Sequence, residues 1–365
     1  MNELMQYIDI NPIVEKAKEL NCPYIAIIGG KGTGKTYGCV DYALRDFFSD
    51  KSKRPFFYAR RYDKTFTPSI CGNLVNCHRQ DIINHSKGKY NKAELRGKVY
   101  TLSRETINDK GESKKTNRDI IAYCRSLNNV ETETGDDKGD ISCIIYDEFL
   151  TRGCELKDEF LKLQILHSNA TRNRTDRFIP MFLLGNTVSR DSQVAEMFGI
   201  RLRDIKRGLN IFENTKHQTR IILYYTDATE KNIESAETYY NRFENSRINM
   251  ISRGDWVLGS YNIAPYDMLF KRGFTAKFYF NRVAVNVTIG IDSINPYLIV
   301  KKPSENYNTT ISPYHGKHNL QIIPKIYIDL VKRGNLYVET PEIGEDFRDI
   351  CKHIVNGMEI VNCID

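Results

Sequence analysis

"IAIIGGKGTGKTYG", residues 25 to 38, decides the fold. An apolar run from Ile25 to Ile28 stops at two glycines, and a helical pattern runs from Lys35 to about Phe48. Gly29-x-x-x-x-Gly34-Lys35-Thr36 fits the phosphate-binding loop G-x-x-x-x-G-K-[ST] in the strand–loop–helix setting it requires. Glycines let successive backbone N–H groups curl around phosphate, and the helix N-terminus adds its positive dipole end. The expected nucleotide-binding set is therefore Gly29, Gly30, Lys31, Gly32, Thr33, Gly34, Lys35, Thr36 and Tyr37. Lys35 would reach the β- and γ-phosphates of ATP, and the Thr36 hydroxyl would bind Mg²⁺.

Such a loop needs a carboxylate for the metal at the end of a neighbouring strand. "ISCIIYDEFL", residues 141 to 150, supplies Asp147 for Mg²⁺ and Glu148 to polarise an attacking water. An Asp-Glu pair is the arrangement of the additional-strand NTPases that hydrolyse ATP to drive motion. Strands are predicted at Tyr24–Ile28, Phe56–Arg60, Ile141–Tyr146 and Phe178–Gly185. Each is short and almost continuously apolar, as strands buried on both faces of a parallel sheet should be. Leu156, Phe160, Leu163 and Leu166 recur at three- and four-residue spacing, which predicts an amphipathic helix between the last two.

Other residues carry two readings each. Asn186, after the last strand, suits a γ-phosphate sensor or a turn. Arg172, Arg174 and Arg177 in "TRNRTDR" suit exposed surface, or an arginine given in trans to a neighbouring subunit's nucleotide. Arg60 and Arg61, at the end of "FFYARR", suit a nucleotide or subunit contact, or solvent.

The net charge of +7 is compatible with a nucleic-acid partner without requiring one. Hydrophobic residues at 41% and charged residues at 27% describe an ordinary globular chain. No apolar run approaches the roughly 18 residues that span a bilayer, and the N-terminal segment has no signal-peptide core, so no membrane and a cytoplasmic location are expected. Nine scattered cysteines form no C-x-x-C pair, and Cys71, Cys77 and His78 lack a second ligand pair, so free thiols in a reducing compartment are expected. Two polar stretches interrupt the pattern: 103–119 reads as a long hairpin loop between "KVYTL" and "IIAYC", and 128–140 as a second loop. The predicted organisation is a P-loop ATPase domain over 1–226, a helical linker over 227–263 and a small α+β domain over 264–365.

In order along the chain, "IIGGKGTGKTY", "FFYARRY", "IIYDEFLTR", "RNRTDR" and "LLGNTVS" resemble the DNA packaging ATPases of phi29-type podoviruses, over about residues 20 to 190. The resemblance implies an α/β fold of the additional-strand, catalytic-glutamate type, with a degenerate RNase H-like C-terminal domain that is nuclease-inactive. It implies a ring, usually a pentamer, at the portal of an empty prohead in the host cytoplasm, driving double-stranded DNA inward with ATP and Mg²⁺. Carried onto this sequence, Lys35 and Thr36 are the Walker A pair, Asp147 the Walker B acid and Glu148 the catalytic glutamate. Arg172 is the trans-acting finger and Asn186 the sensor-like residue. Some members dock on a structural prohead RNA, a further partner to consider. DNA contact would fall mainly on phosphates. The polar stretches are pore candidates, with Lys110, Lys114 and Lys115 as contacts, against the plainer reading of solvated loops.

A GTPase would want N-K-x-D after a strand, and "NKAE" at 91–94 lacks the aspartate. A small-molecule kinase has less use for the Asp-Glu pair. A nucleic-acid-binding protein with a dead P-loop fits poorly with intact Lys35, Thr36, Asp147 and Glu148, while another nucleic-acid-dependent NTPase of helicase type stays open.

Overall fold

The computed structural model describes residues 8–49, 53–107, 113–132, 140–153, 155–172, 177–190, 192, 193–202, 205–215, 218–227, 250, 255–256, 261–269, 273–280, 283–292, 295–313 and 322–364. The chain separates into two compact units, Met1–Trp256 and Val257–Asp365. Most of the predicted linker, 228–249, 251–254 and 257–260, lies outside the described residues.

In the first unit the order is α1 (Asn11–Glu19), β1 (Tyr24–Gly29), α2 (Lys35–Ser49), β2 (Phe56–Arg60) and three short helices, α3 (Pro68–Cys71), α4 (Asn73–Asn76) and α5 (Arg79–His85). There follow β3 (Lys92–Arg96), β4 (Val99–Ile107), β5 (Ser113–Ser126), β6 (Ile144–Asp147), α6 (Glu159–Thr171), β7 (Met181–Asn186), α7 (Gln193–Met197), β8 (Gly208–Asn214) and β9 (Thr219–Tyr225). They build one nine-stranded sheet in the order β3-β4-β5-β2-β6-β7-β1-β9-β8. Its centre, from β5 through β9, is parallel, and β3–β4–β5 and β8–β9 are antiparallel margins. One strand, β7, stands between the P-loop strand β1 and the Asp147 strand β6, which is the additional-strand arrangement.

The apolar runs are continuous because both faces are covered. Side chains of successive strand residues point to opposite faces. Accordingly Ile25, Ile27, Phe182 and Leu184 pack under α2 with Val40, Leu44 and Phe47. Ala26, Ile28, Met181 and Leu183 pack under α6 with Phe160, Leu163 and Leu166.

Three boundaries depart from the sequence pattern for local reasons. The third strand forms only from Ile144, although Ile141 is buried before it. The helix starts at Glu159, because Asp158 turns left-handed (φ +55°) and the backbone N–H of Leu156 donates to the Glu159 carboxylate at 2.9 Å. The stretch 103–119 is mostly a ribbon of β4 and β5, not a long loop; only 108–112, with Lys110, lies outside the described residues. Ion pairs tie the polar ribbon to β3: Lys115 of β5 with Glu94, and Glu105 of β4 with Lys92 at 2.7 Å. Lys115 and Lys92 pull the Glu94 carboxyl down to about 2. Of the stretch 128–140, residues 133–139 lie outside the described residues.

The second unit carries a six-stranded sheet. After the short β10 (Asn262–Ile263) comes an antiparallel meander of β11 (Phe274–Phe280), β12 (Val283–Asp292) and β13 (Asn295–Lys301). Two later strands add in parallel, β14 (Thr309–Ile311) on β11 and β15 (Leu336–Val338) on β13. Helices Lys325–Lys332, Pro341–Cys351 and Met358–Ile364 cover one face, packing Phe347 over Phe278, Val287 and Leu298.

Phe182, wholly buried at the centre of β7, gives a direct check on the first unit's core. Phe182→Ala should lower that unit's stability by about 3–5 kcal/mol, read as a shift of its urea transition by near-UV circular dichroism. A shift worth less than about 1 kcal/mol would contradict the packing described.

Candidate active site

The loop after β1 is shaped by its glycines. Gly32 and Gly34 have φ of +84° and +81°, left-handed values that side-chain-bearing residues rarely adopt. At Gly29 a Cβ would lie 1.9 Å from Thr226 Oγ1, so only hydrogen fits where β1 passes the end of β9. Lys35, buried at the start of α2, turns back over the loop. Its Nζ donates to Gly30 O at 2.6 Å, Gly29 O at 3.2 Å, Thr33 Oγ1 at 3.3 Å and Asn186 Oδ1 at 3.1 Å. Burial pushes the Lys35 ammonium down to about 8, against the opposing charge of Asp147.

Asp147 ends β6 and accepts a hydrogen bond from the Tyr58 hydroxyl at 2.7 Å. Burial raises its pKa, a tendency the Tyr58 hydrogen bond resists. Glu148, the next residue, is left-handed at φ +63° and exposed. Its carboxylate pairs with the buried guanidinium of Arg60 at the end of β2. Arg61 holds this turn from beneath. It makes two 2.9 Å bonds to the wholly buried Glu159 and donates to the carbonyls of Glu148 and Phe149. Glu159 also accepts from the Tyr146 hydroxyl at 2.7 Å. Of the readings open for Arg60 and Arg61, the structure gives a third: both hold the turn after β6 in their own chain.

A cavity of about 350 Å³ opens at the C-terminal ends of β1, β6 and β7. Lys31, Gly32, Gly34, Lys35, Thr36 and Tyr37 line one side. Asp147, Glu148, Gly185 and Asn186 line the other. Asn186 is thus in the site, bonded to Lys35. Gly185 was not singled out by sequence; a Cβ there would meet Leu150 and Phe149 at 2.9 Å, so it admits the chain leaving β6 close to β7. Its signal was a glycine inside an apolar strand.

Arg172 sits elsewhere. It is exposed at the C-terminus of α6, which runs back against the strands. His167, one turn before the end of α6, bonds the Ile179 carbonyl ahead of β7 and packs on Tyr24, the first residue of β1. Arg172 therefore lies toward the opposite end of the sheet from the cavity of its own chain. Arg177 pairs with Asp140, and Arg174 lies outside the described residues. Lys114 is exposed on β5, and Lys115 is engaged by Glu94.

No protein-family model and no curated protein matches the chain. Among solved structures it is similar to the bacteriophage phi29 viral genome packaging motor assembly, with a TM-score of 0.54 and 15% identity, over 96% of this chain and 99% of that one. This chain has the phi29 packaging-motor fold. The phi28 gp11 DNA packaging motor is also similar (TM-score 0.49, 14% identity, 95% of this chain and 97% of that one). So is the N-terminal domain of the phi29 DNA packaging ATPase (TM-score 0.42, 19% identity, 59% of this chain and 96% of that one). At such identities the packaging-motor likeness is one of fold, and the chemistry rests on the residues above.

Removing Arg61 leaves the Glu159 carboxylate buried without its countercharge, a loss of about 3–5 kcal/mol. Arg61→Ala should therefore lower the melting temperature of the first unit far more than Arg60→Ala, whose partner Glu148 is exposed. Equal shifts in the two variants would refute the clamp.

Proposed function

We propose that this protein is a viral DNA packaging motor ATPase that couples ATP hydrolysis to translocation of double-stranded DNA into an empty prohead, through a ring of subunits. The observation that carries the reading is the meeting, in one cavity, of the P-loop residues with Asp147, Glu148 and Asn186. The fold shared with the phi29 motor supports the packaging role.

In this reading the loop amides from Gly29 to Tyr37 and the Lys35 ammonium hold the triphosphate. The donor set offered for Mg²⁺, the Thr36 hydroxyl and the Asp147 carboxylate, is all hard oxygen, which suits that ion. Held by these oxygens, Mg²⁺ would supply positive charge against the phosphates. Asn186, already bonded to Lys35, follows the γ-phosphate. Glu148 takes the proton of the attacking water, and to do so its carboxylate must first part from Arg60, because a carboxylate held by a guanidinium is a poor base. Arg172, too far from its own cavity, serves a neighbouring subunit's γ-phosphate in a ring, which we take to be a pentamer. The ring would engage the portal of the prohead and, as in some related motors, a structural RNA. Lys114 on β5, with Lys110 nearby in sequence, meets DNA phosphates; Lys115 contributes only when released from Glu94. The unit beginning near residue 264, a degenerate RNase H-like domain after the 227–263 linker, cuts no DNA.

ATP hydrolysis by the purified chain, with and without double-stranded DNA, tests the mechanism. Glu148→Gln should lower kcat by about 10²–10⁴-fold while nucleotide still binds; an unchanged kcat would sink the assignment. The trans role has its own check. Arg172→Ala subunits mixed with Glu148→Gln subunits should recover part of the hydrolysis that neither shows alone, since some interfaces then join an intact Glu148 to an intact Arg172. No recovery in rings shown to be mixed would count against it.

A further inference from the structure

Behind the nucleotide cavity lies a histidine with no hydrogen-bond partner among the described residues. His78, just before α5, is completely buried, and neither ring nitrogen makes a hydrogen bond to any of them. An imidazole enclosed in this way forfeits its hydration without compensation, and such groups call for a cause, a bound ion among them. Two carboxylates face it. Asp81 is in the first turn of α5, and Asp41 is on α2, five residues beyond Thr36. One donor atom from each of Asp41, His78 and Asp81 lies within 4.8 Å of the other two.

The contacts these groups already make leave room for a ligand. The nearest approach to the ring is Asp81 Oδ2, at 3.4 Å from Nδ1. The same oxygen accepts from the Tyr37 hydroxyl at 2.8 Å, and Asp41 Oδ2 pairs with Arg45 at 2.7 Å. Both engagements use Oδ2, so each carboxylate has Oδ1 to offer. Tyr37 also lays its ring on His78, with centroids 3.8 Å apart.

We propose that Asp41, His78 and Asp81 bind one divalent transition-metal ion, zinc by preference, clipping α2 to α5 behind the nucleotide cavity. One imidazole and two carboxylates give three protein ligands, with water for the fourth tetrahedral position. Donors around tetrahedral zinc stand about 3.3 Å apart, given bonds of about 2.0–2.1 Å. Small side-chain rotations of the two aspartates close the difference. The imidazole selects zinc over Mg²⁺, which takes oxygen ligands, so the clip is chemically distinct from the metal that accompanies nucleotide. Two carboxylates offset the charge of a dication, and burial lowers the His78 pKa, keeping the ring in its neutral, donating form. Tyr37 borders the cavity and is held by His78 and Asp81, so an ion here would stiffen that wall.

The test is equilibrium titration of the full chain with zinc, in excess Mg²⁺ and without nucleotide, alongside cobalt(II) as a visible reporter. One equivalent should bind, raise the melting temperature, and give a cobalt spectrum without a thiolate charge-transfer band. His78→Asn, Asp41→Asn and Asp81→Asn should each weaken binding by about 100-fold or more, at least the cost of losing an outer-shell partner. Cys77→Ser, which removes the exposed thiol next to His78, should leave it unchanged. A thiolate band, binding retained in the aspartate variants, or no zinc taken up at millimolar concentration would each overturn the proposal. Should His78→Asn fail to fold, the aspartate variants carry the same decision.

Discussion

Arg61 and Glu159 form the contact on which the cavity end of the sheet depends. The carboxylate is wholly enclosed, yet its oxygens are met by two guanidinium nitrogens, the Tyr146 hydroxyl and the Leu156 amide. Charge buried with that many partners is tolerated, and removing one partner is costly. What the pair secures is position. One guanidinium joins the end of β2, the first turn of α6 and the two carbonyls that follow Asp147. The left-handed backbone of Glu148, strained for a side-chain-bearing residue, persists because its surroundings over-determine it.

The sheet does the rest of the alignment. Strands lie about 4.8 Å apart, so the P-loop strand and the Asp147 strand, two places apart, are separated by about 10 Å. That gap suits a polyphosphate and its cation, and β7 fills it from below with Gly185 and Asn186. Gly29 and Gly185 are small for the same reason: at each, chain from another element passes where a side chain would stand.

The P-loop, the Asp-Glu pair and the four central strands were legible because their signals are local: a spacing, a strand end, an apolar run. The partners of Arg60 and Arg61 were not, since their carboxylates lie 88 and 98 residues away along the chain, and an arginine at a strand end reads alike whether it meets solvent or a buried acid. That β4 and β5 run on into 103–119 is not legible in the sequence, because this stretch is polar on both faces and ion pairs to β3 replace the alternation that marks a half-buried strand. His78 was weighed with Cys71 and Cys77, its neighbours in sequence. In the structure its companions are Asp41, from α2, and Asp81, one helical turn on, and only folding shows that the ring is enclosed.

The two facing charges of the cavity, buried Lys35 and half-buried Asp147, share one electrostatic predicament. Lys35 is held among carbonyl and amide oxygens that satisfy its hydrogen bonds but bring little charge, and burial lowers its pKa to about 8. Asp147 suffers the converse, with burial raising its pKa despite the Tyr58 hydroxyl. Each would be relieved by what a nucleotide with Mg²⁺ carries, phosphate anion for the lysine and a cation for the aspartate. A ligand bearing only one of the two charges relieves one group and leaves the other as it was. On the function proposed, the site is organised in advance for the pair together, and the cost of holding Lys35 out of water is met by the surrounding core, which the two-sided burial of β1, β6 and β7 supplies.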